Sequence, residues 1–229
     1  MAPHRLLACL ALLGVALSSH AAAPDVDALI TYETRQLTAA GVARTERWQE
    51  RLMRRGNTVW TERVLPAGAA ALHAGETPSA HAGHKHFDFD SAARVVQREA
   101  GSQLRLRFVD REHRVVVSVP KAEYGAVGFD GDWAAAAFIV PPSVIERMGA
   151  AAEGGWRVEK AKGWSHRVRW SEAQQLPLRV ESQRDDGSVR RVVTIAPSRV
   201  SKAAVVPWDG LASYTQKDYD DFHYCPVKS

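Results

Sequence analysis

Cysteine is nearly absent from this 229-residue sequence, which contains only Cys9 and Cys225. Cys9 lies in an N-terminal segment that we expect to be removed, so one cysteine would remain and an internal disulfide is excluded. The letters LLAC also match a lipoprotein cleavage box at Cys9, but too few apolar residues precede it for an ordinary leader. We therefore expect a fold stabilised by its core, and we assign no role to Cys225.

Several patterns typical of enzymes are also missing. The sequence has no G-x-S-x-G nucleophile motif, no phosphate-binding glycine loop and no cysteine pair. The letters FDGDW at residues 129–133 lack the remaining positions of a calcium loop and indicate a turn. Arginines are scattered through strand-like segments and the net charge is only +4, which argues against nucleic acid as a partner. We therefore do not expect an enzyme.

Long apolar runs are confined to the first residues. Arg5 precedes the apolar stretch Leu6–Leu17, and small residues follow it. This order is typical of a cleavable signal peptide, and the stretch is shorter than the roughly 20 residues that span a bilayer. We predict a signal peptide over residues 1–21, an exported periplasmic domain over 22–200 and a C-terminal tail over 201–229.

Strand patterns dominate the rest of the chain. In SQLRLRFVD the apolar positions alternate with arginines, and RVVVSVP repeats the alternation after a polar turn. Such alternation predicts half-buried strands. Gly56-Asn57 and Asp186-Gly187 are hairpin signals between further strand-like segments. The pattern predicts seven to nine strands in consecutive hairpins.

Helix patterns are few. Residues 24–37 place apolar side chains near helical spacing and predict a short helix, and residues 141–152 predict a second helix opened by prolines. A long meander with one apolar face curls around that face, and helices cover the remainder. The expected class is mainly β (α+β): a curved antiparallel sheet, or open half-barrel, with one or two covering helices.

A histidine cluster follows a flexible loop rich in Ala, Gly and His, which we place at residues 67–84. If residues 84–90 are extended, His84, His86, Asp88 and Asp90 project from one face. His81 and His73 could reach in from the loop. Imidazole and carboxylate at this spacing suit zinc or copper. The alternative is a solvated strand face, with Phe87 and Phe89 packing inward. Metal binding is therefore a second hypothesis, with no other cofactor expected.

The segment WSEAQQLPLRVESQRDDGSVRR, residues 170–191, resembles the corresponding hairpin of the LolA/LolB superfamily of periplasmic lipoprotein carriers. The larger domain of the sigma-factor regulator RseB has the same fold. The order of elements also fits over about three quarters of the chain. The sequence departs from the family in its His-rich loop, and no arginine can be assigned to the role in which some carriers latch their covering helices.

The resemblance implies an apolar concavity for a lipid, an acyl chain or a lipidated or envelope protein partner, as carrier or as RseB-like sensor. Inward-facing strand residues would line it, and the alternative is that they fill a dry core. The candidates are Trp48, Trp60, Leu104, Leu106, Phe108, Trp164, Val168 and Trp170.

Overall fold

The computed structural model of the chain describes residues 23–65, 87–200 and 205–222. These residues form one eleven-stranded sheet and two short helices. The predicted fold class is confirmed: the sheet is curved, open and antiparallel, with two covering helices. No helix in these ranges is long and apolar enough to cross a bilayer.

The antiparallel strands follow one another in hairpins along the first half of the chain. A strand from the last third of the chain then pairs with the first strand. The elements are β1 (Val26–Leu37), β2 (Ala43–Arg55), β3 (Thr58–Arg63), β4 (Ala93–Arg98), β5 (Leu104–Asp110), β6 (Val115–Val119), α1 (Trp133–Phe138), α2 (Pro142–Arg147), β7 (Trp156–Ala161), β8 (Trp164–Ser171), β9 (Leu176–Arg184), β10 (Val189–Ser198) and β11 (Thr215–Asp218). The sheet order is β11-β6-β5-β4-β3-β2-β1-β10-β9-β8-β7, and only the β11–β6 pair is parallel.

The helix predicted over residues 24–37 is wrong, because this segment is strand β1. Its buried residues Val26, Ala28 and Ile30 follow a period of two. Leu29, which suggested helical spacing, is 37% exposed on the other side. β1 pairs with β2 and with β10 along nearly its full length, and this pairing with a distant segment outweighs the local helical spacing.

The two faces of the sheet carry different coverings. We call the side that carries Val26, Ala28 and Ile30, together with their register partners, the front face, and the opposite side the back face. On the front face, α1 packs over β1, β2 and β10, and the segment 121–129 packs over β5 and β6. The predicted helix over residues 141–152 is present but shorter, as α2. Sequence patterns missed β4, β7, β11 and α1.

Residues 205–222, which lie within the predicted C-terminal tail, pack against the sheet. Trp208, Leu211 and Tyr214 cover the back face over β3–β6, where Trp60 and Val95 are fully buried. The rings of Trp208 and Trp60 lie 6.5 Å apart. β11 then adds to the sheet edge beside β6.

We expect Trp208→Ala to lower the free energy of unfolding by about 2 kcal/mol, because it uncovers the buried Trp60 ring. Chemical denaturation followed by fluorescence measures the change. Val205→Ala is the matched control, since Val205 is 84% exposed. A Trp208→Ala variant as stable as the control would mean that the segment contributes no packing energy.

Residues 87–92 form a turn, so the extended conformation considered for residues 84–90 does not reach this far. Both oxygens of the Asp88 carboxylate accept hydrogen bonds within the turn, from the backbone of Asp90 and from the backbone and hydroxyl of Ser91. Phe87 and Phe89 nevertheless both pack inward, 4.7 Å apart, and Phe89 meets Phe108 edge-on at 5.1 Å. The alternative of inward phenylalanines is thus observed, on a turn instead of a strand.

Candidate functional site: a cleft beneath two short helices

A cleft of about 690 Å³ lies where α1 and α2 meet the β7–β8 end of the sheet. Its volume falls within the range of roughly 300–1,000 Å³ that is usual for small-molecule sites. Most of the exposed area inside it is apolar. Its apolar lining consists of Ala23, Trp133, Ala134, Phe138, Pro142, Ile145 and Trp170.

Local sequence explains the two helices above this cleft. The carboxylate of Asp132 accepts a hydrogen bond from the backbone N–H of Ala134 at 2.7 Å and caps α1. The run of alanines keeps α1 thin, so Ala137 sits fully buried against the sheet. α1 ends at Ile139, whose φ of 65° is unusual for a β-branched residue. Pro141 and Pro142 then start α2.

Arg54 on β2 connects α1 and the β8–β9 turn to the sheet through hydrogen bonds of its side chain. Its side chain is completely buried and points to the front face. The guanidinium donates to the carbonyl oxygens of Ala137 at 2.6 Å and Gln174 at 2.5 Å, and to that of Pro24 at 3.0 Å. Its carbon also lies 5.0 Å from the centre of the Phe138 ring. One side chain therefore holds the end of α1, the β8–β9 turn and the start of the described chain.

Burial lowers the pKa of Arg54 to about 10. The group therefore remains a cation at neutral pH, and its charge is balanced by carbonyl dipoles and by the ring face instead of a bonded carboxylate. Sequence reasoning did not find this residue, because arginine is expected at the surface and Arg54 stands beside Arg55. The signal was parity: Arg54 shares its side of β2 with Leu52.

The rim of the cleft is polar. The guanidinium of Arg98 lies over the Trp133 ring, 5.0 Å from its centre. Glu172 accepts from Arg157 at 3.2 Å and from the indole N–H of Trp170 at 3.1 Å. A cleft with apolar walls and charged groups at its edge can accept an amphipathic molecule whose polar end stays at the surface.

The predicted lining residues are not gathered in one place. Trp170 lines the cleft. Leu106 and Phe108 are buried in the front-face core beneath residues 121–129, and Leu104 packs at its margin. Val168 is 3% exposed.

Trp60 lies on the back face, because the Gly56-Asn57 turn pairs Trp60 with Met53 and not with Leu52. Its ring packs against Trp208, away from the cleft.

Trp48 and Trp164 lie on a separate, polar part of the front face. Trp48 stacks on Tyr32 at 5.0 Å, and the Tyr32 hydroxyl donates to Glu50 at 3.0 Å. Burial, with the Glu50 carboxylate, raises the pKa of Tyr32 above its ordinary value. Trp164 stacks on His166, whose Nδ1 lies 2.9 Å from the hydroxyl of Ser182. These aromatic rings are available at the surface but do not border the cleft.

The metal hypothesis falls mostly on residues that the structure does not cover. His81, His84 and His86 lie outside the described ranges, and Asp88 is engaged in its own turn. The hydrogen bond from Ser91 lowers the pKa of Asp88. Among the described residues there is no group of three or more His, Cys, Asp or Glu side chains that could hold a metal ion. Zinc or copper binding by the cluster stays a prediction.

Several solved structures resemble this fold at low similarity. One is a LolA superfamily protein from Nitrosomonas europaea, with 8% identity, a TM-score of 0.34, and coverage of 77% of this chain and 86% of that one. Another is a DUF1329 family protein from Desulfovibrio piger, with 9% identity, a TM-score of 0.35, and coverage of 80% and 88%. A third is a putative outer membrane lipoprotein-sorting protein domain from Vibrio parahaemolyticus, with 10% identity, a TM-score of 0.28, and coverage of 82% and 89%.

The first of these three proteins is from the LolA superfamily, the family that residues 170–191 resemble in sequence. No protein-family model matches the chain, and neither does any curated protein.

Proposed function

We propose that this protein is a non-catalytic carrier of the cell envelope that holds an acyl chain, free or attached to a lipidated protein, in the cleft beneath α1 and α2. The observation that carries the proposal is the apolar lining of a cleft of about 690 Å³ by Trp133, Phe138, Ile145 and Trp170. Burying a methylene of an acyl chain against such walls is worth roughly 0.8 kcal/mol.

A carrier role is favoured over that of an RseB-like regulator because the apolar surface is recessed under two helices. A regulator that docks a protein partner needs an exposed patch, whereas a carrier needs a shielded site with a polar edge. Arg98 and Arg157 at this edge can meet the anionic head of a fatty acid or the polar end of a lipid. Periplasmic export, as the N-terminal sequence predicts, would place the protein among such ligands.

Titration with a fluorescent fatty-acid analogue, together with native mass spectrometry of the purified protein, tests the proposal. Wild type should bind the probe saturably. Ser143→Trp should weaken binding at least 10-fold, because residue 143 is exposed at the cleft and a large ring there fills it without disturbing the core. Trp170→Ala should also weaken binding, since it removes one apolar wall.

Val42→Trp is the matched control, because Val42 is 61% exposed in the β1–β2 turn, away from the cleft. It should bind the probe as wild type does. No saturable binding by wild type, or equal binding by the Ser143→Trp variant, would exclude the cleft as the ligand site.

A further inference from the structure

The back face of β1, β2 and β7–β10 concentrates positive charge. Strand register places nine basic and three acidic side chains there, a net charge of +6, whereas the whole sequence carries +4. The basic residues are Arg35, Arg47, Arg51, Arg55, Lys160, Arg167, Arg169, Arg179 and Arg190, and the acidic ones are Asp27, Glu33 and Glu181. Residues 205–214 cover the other half of this face, and within the described ranges most of these basic groups remain exposed. We call the half of the back face that β1, β2 and β7–β10 form the basic face.

Glu181 organises the centre of the basic face. Its side chain is only 9% exposed. It accepts hydrogen bonds from Arg167 at 2.6 and 2.9 Å and from Arg179 at 2.7 Å, and Arg190 lies at 3.4 Å. One carboxylate therefore holds three guanidiniums, and two positive charges remain uncompensated at this point. Each of the three arginines keeps 41–50% of its side chain exposed and can still reach an outside anion.

Two pairs of arginines face each other directly across neighbouring strands. Arg35 is the register partner of Arg190, and Arg169 is the partner of Arg179. Like charges directly opposite in a sheet destabilise it. The fold therefore carries these pairs at a cost to its own stability, which an anionic partner placed between them would offset.

Apolar side chains are interspersed among these arginines. Leu29, Leu37 and Val158 are 37%, 41% and 50% exposed, and strand alternation places all three on the basic face. Trp156 on the same side lies beneath Arg167, whose guanidinium is 4.6 Å from the ring centre. Exposed leucine and valine beside a half-buried tryptophan, among basic residues, match the composition of surfaces that lie in the interface of a bilayer.

We propose that the basic face docks on an anionic phospholipid membrane surface. Basic side chains near such a surface are each attracted by its negative potential, and the apolar groups contact the headgroup boundary. The dispersion of charge over six strands favours an extended anionic plane over a compact acidic peptide, which would occupy one groove. The site is separate from the cleft, so this proposal does not depend on the carrier role.

Vesicle co-sedimentation tests the proposal with the full-length protein. Vesicles that contain 30% phosphatidylglycerol should bind the protein, whereas pure phosphatidylcholine vesicles should not. Raising the salt to 0.5 M should release the protein, because charge attraction is screened within a few ångströms. Arg35→Gln/Arg169→Gln should weaken binding on the order of 25-fold, at about fivefold for each charge. The same double variant should be at least as stable as wild type, because it relieves both arginine pairs.

Arg44→Gln/Arg63→Gln is the matched control: it removes the same charge from exposed front-face positions and should leave binding within about twofold of wild type. Ser143→Trp should also bind these vesicles normally, which separates this test from that of the cleft. Equal binding to neutral vesicles, equal weakening by the control, or binding to polyglutamate without binding to anionic vesicles would overturn the proposal. The last result would identify an acidic protein partner instead.

Discussion

Replacing Arg54 by methionine should lower the free energy of unfolding by about 3–5 kcal/mol. Methionine is apolar and similar in length, but it donates no hydrogen bond. The carbonyl oxygens of Pro24, Ala137 and Gln174 would lose their donor. Each buried polar group left without a partner costs roughly 1–3 kcal/mol. Urea denaturation of both proteins measures the difference.

Arg51→Met is the control for this change, because Arg51 is an exposed arginine on the same strand. Its effect should stay within about 0.5 kcal/mol. Hydrogen exchange should further show faster exchange of residues 133–147 in Arg54→Met, with β4–β6 unaffected. Arg54 would not hold the helices on the sheet if Arg54→Met lowered the free energy of unfolding by less than about 1 kcal/mol. The same conclusion would follow if hydrogen exchange became faster to the same extent in all parts of the protein.

Glu181→Gln should cost about 2–3 kcal/mol at neutral pH. Glutamine keeps the shape of the side chain but removes the charge that holds Arg167, Arg179 and Arg190 together. Removing one partner of a buried ion pair costs roughly 3–5 kcal/mol. The expected value is smaller here, because all three arginines are about half exposed and solvent screens their repulsion. Glu172→Gln is the control, because Glu172 is an exposed carboxylate.

The same residue predicts a pH dependence. Burial alone would raise the pKa of Glu181, but the hydrogen bonds from Arg167 and Arg179 outweigh it, and the pKa lies below the ordinary 4.5. A carboxylate with a lowered folded-state pKa stabilises the protein above its unfolded-state pKa, and this stability is lost as the pH falls through the folded value. The stability gap between wild type and Glu181→Gln should therefore be full at pH 6 and shrink below about 4.5. A gap that stays constant down to pH 3 would contradict the assignment.

Local alternation carried most of the fold prediction. β5, β6 and the hairpins at Gly56-Asn57 and Asp186-Gly187 follow from period-two patterns and turn residues, and both signals act within a few residues. The same reasoning treated Trp48, Trp164 and Val168 as inward-facing strand residues, and the strand register places all three on the front face. It failed for residues 24–37, where Leu29 suggests helical spacing and obscures the period of two. This segment is a strand because it pairs with β2 and β10.

The candidate site was far less predictable. Of the proposed lining residues, Trp170 borders the cleft, whereas Trp60 is buried on the opposite face. The cleft depends on α1, α2 and the β8–β9 turn, which lie up to 121 residues from Arg54 along the chain. No local pattern records which elements meet at such a distance.

The sequence by itself determined the class of fold, because side-chain alternation and turn chemistry act between neighbouring residues. Only the tertiary structure decided three things: the burial of Arg54 under α1, the side on which Trp60 lies, and the collection of basic residues from six strands into one basic face. Each depends on strand register between segments far apart in the chain, and register is set by the packing of the whole sheet.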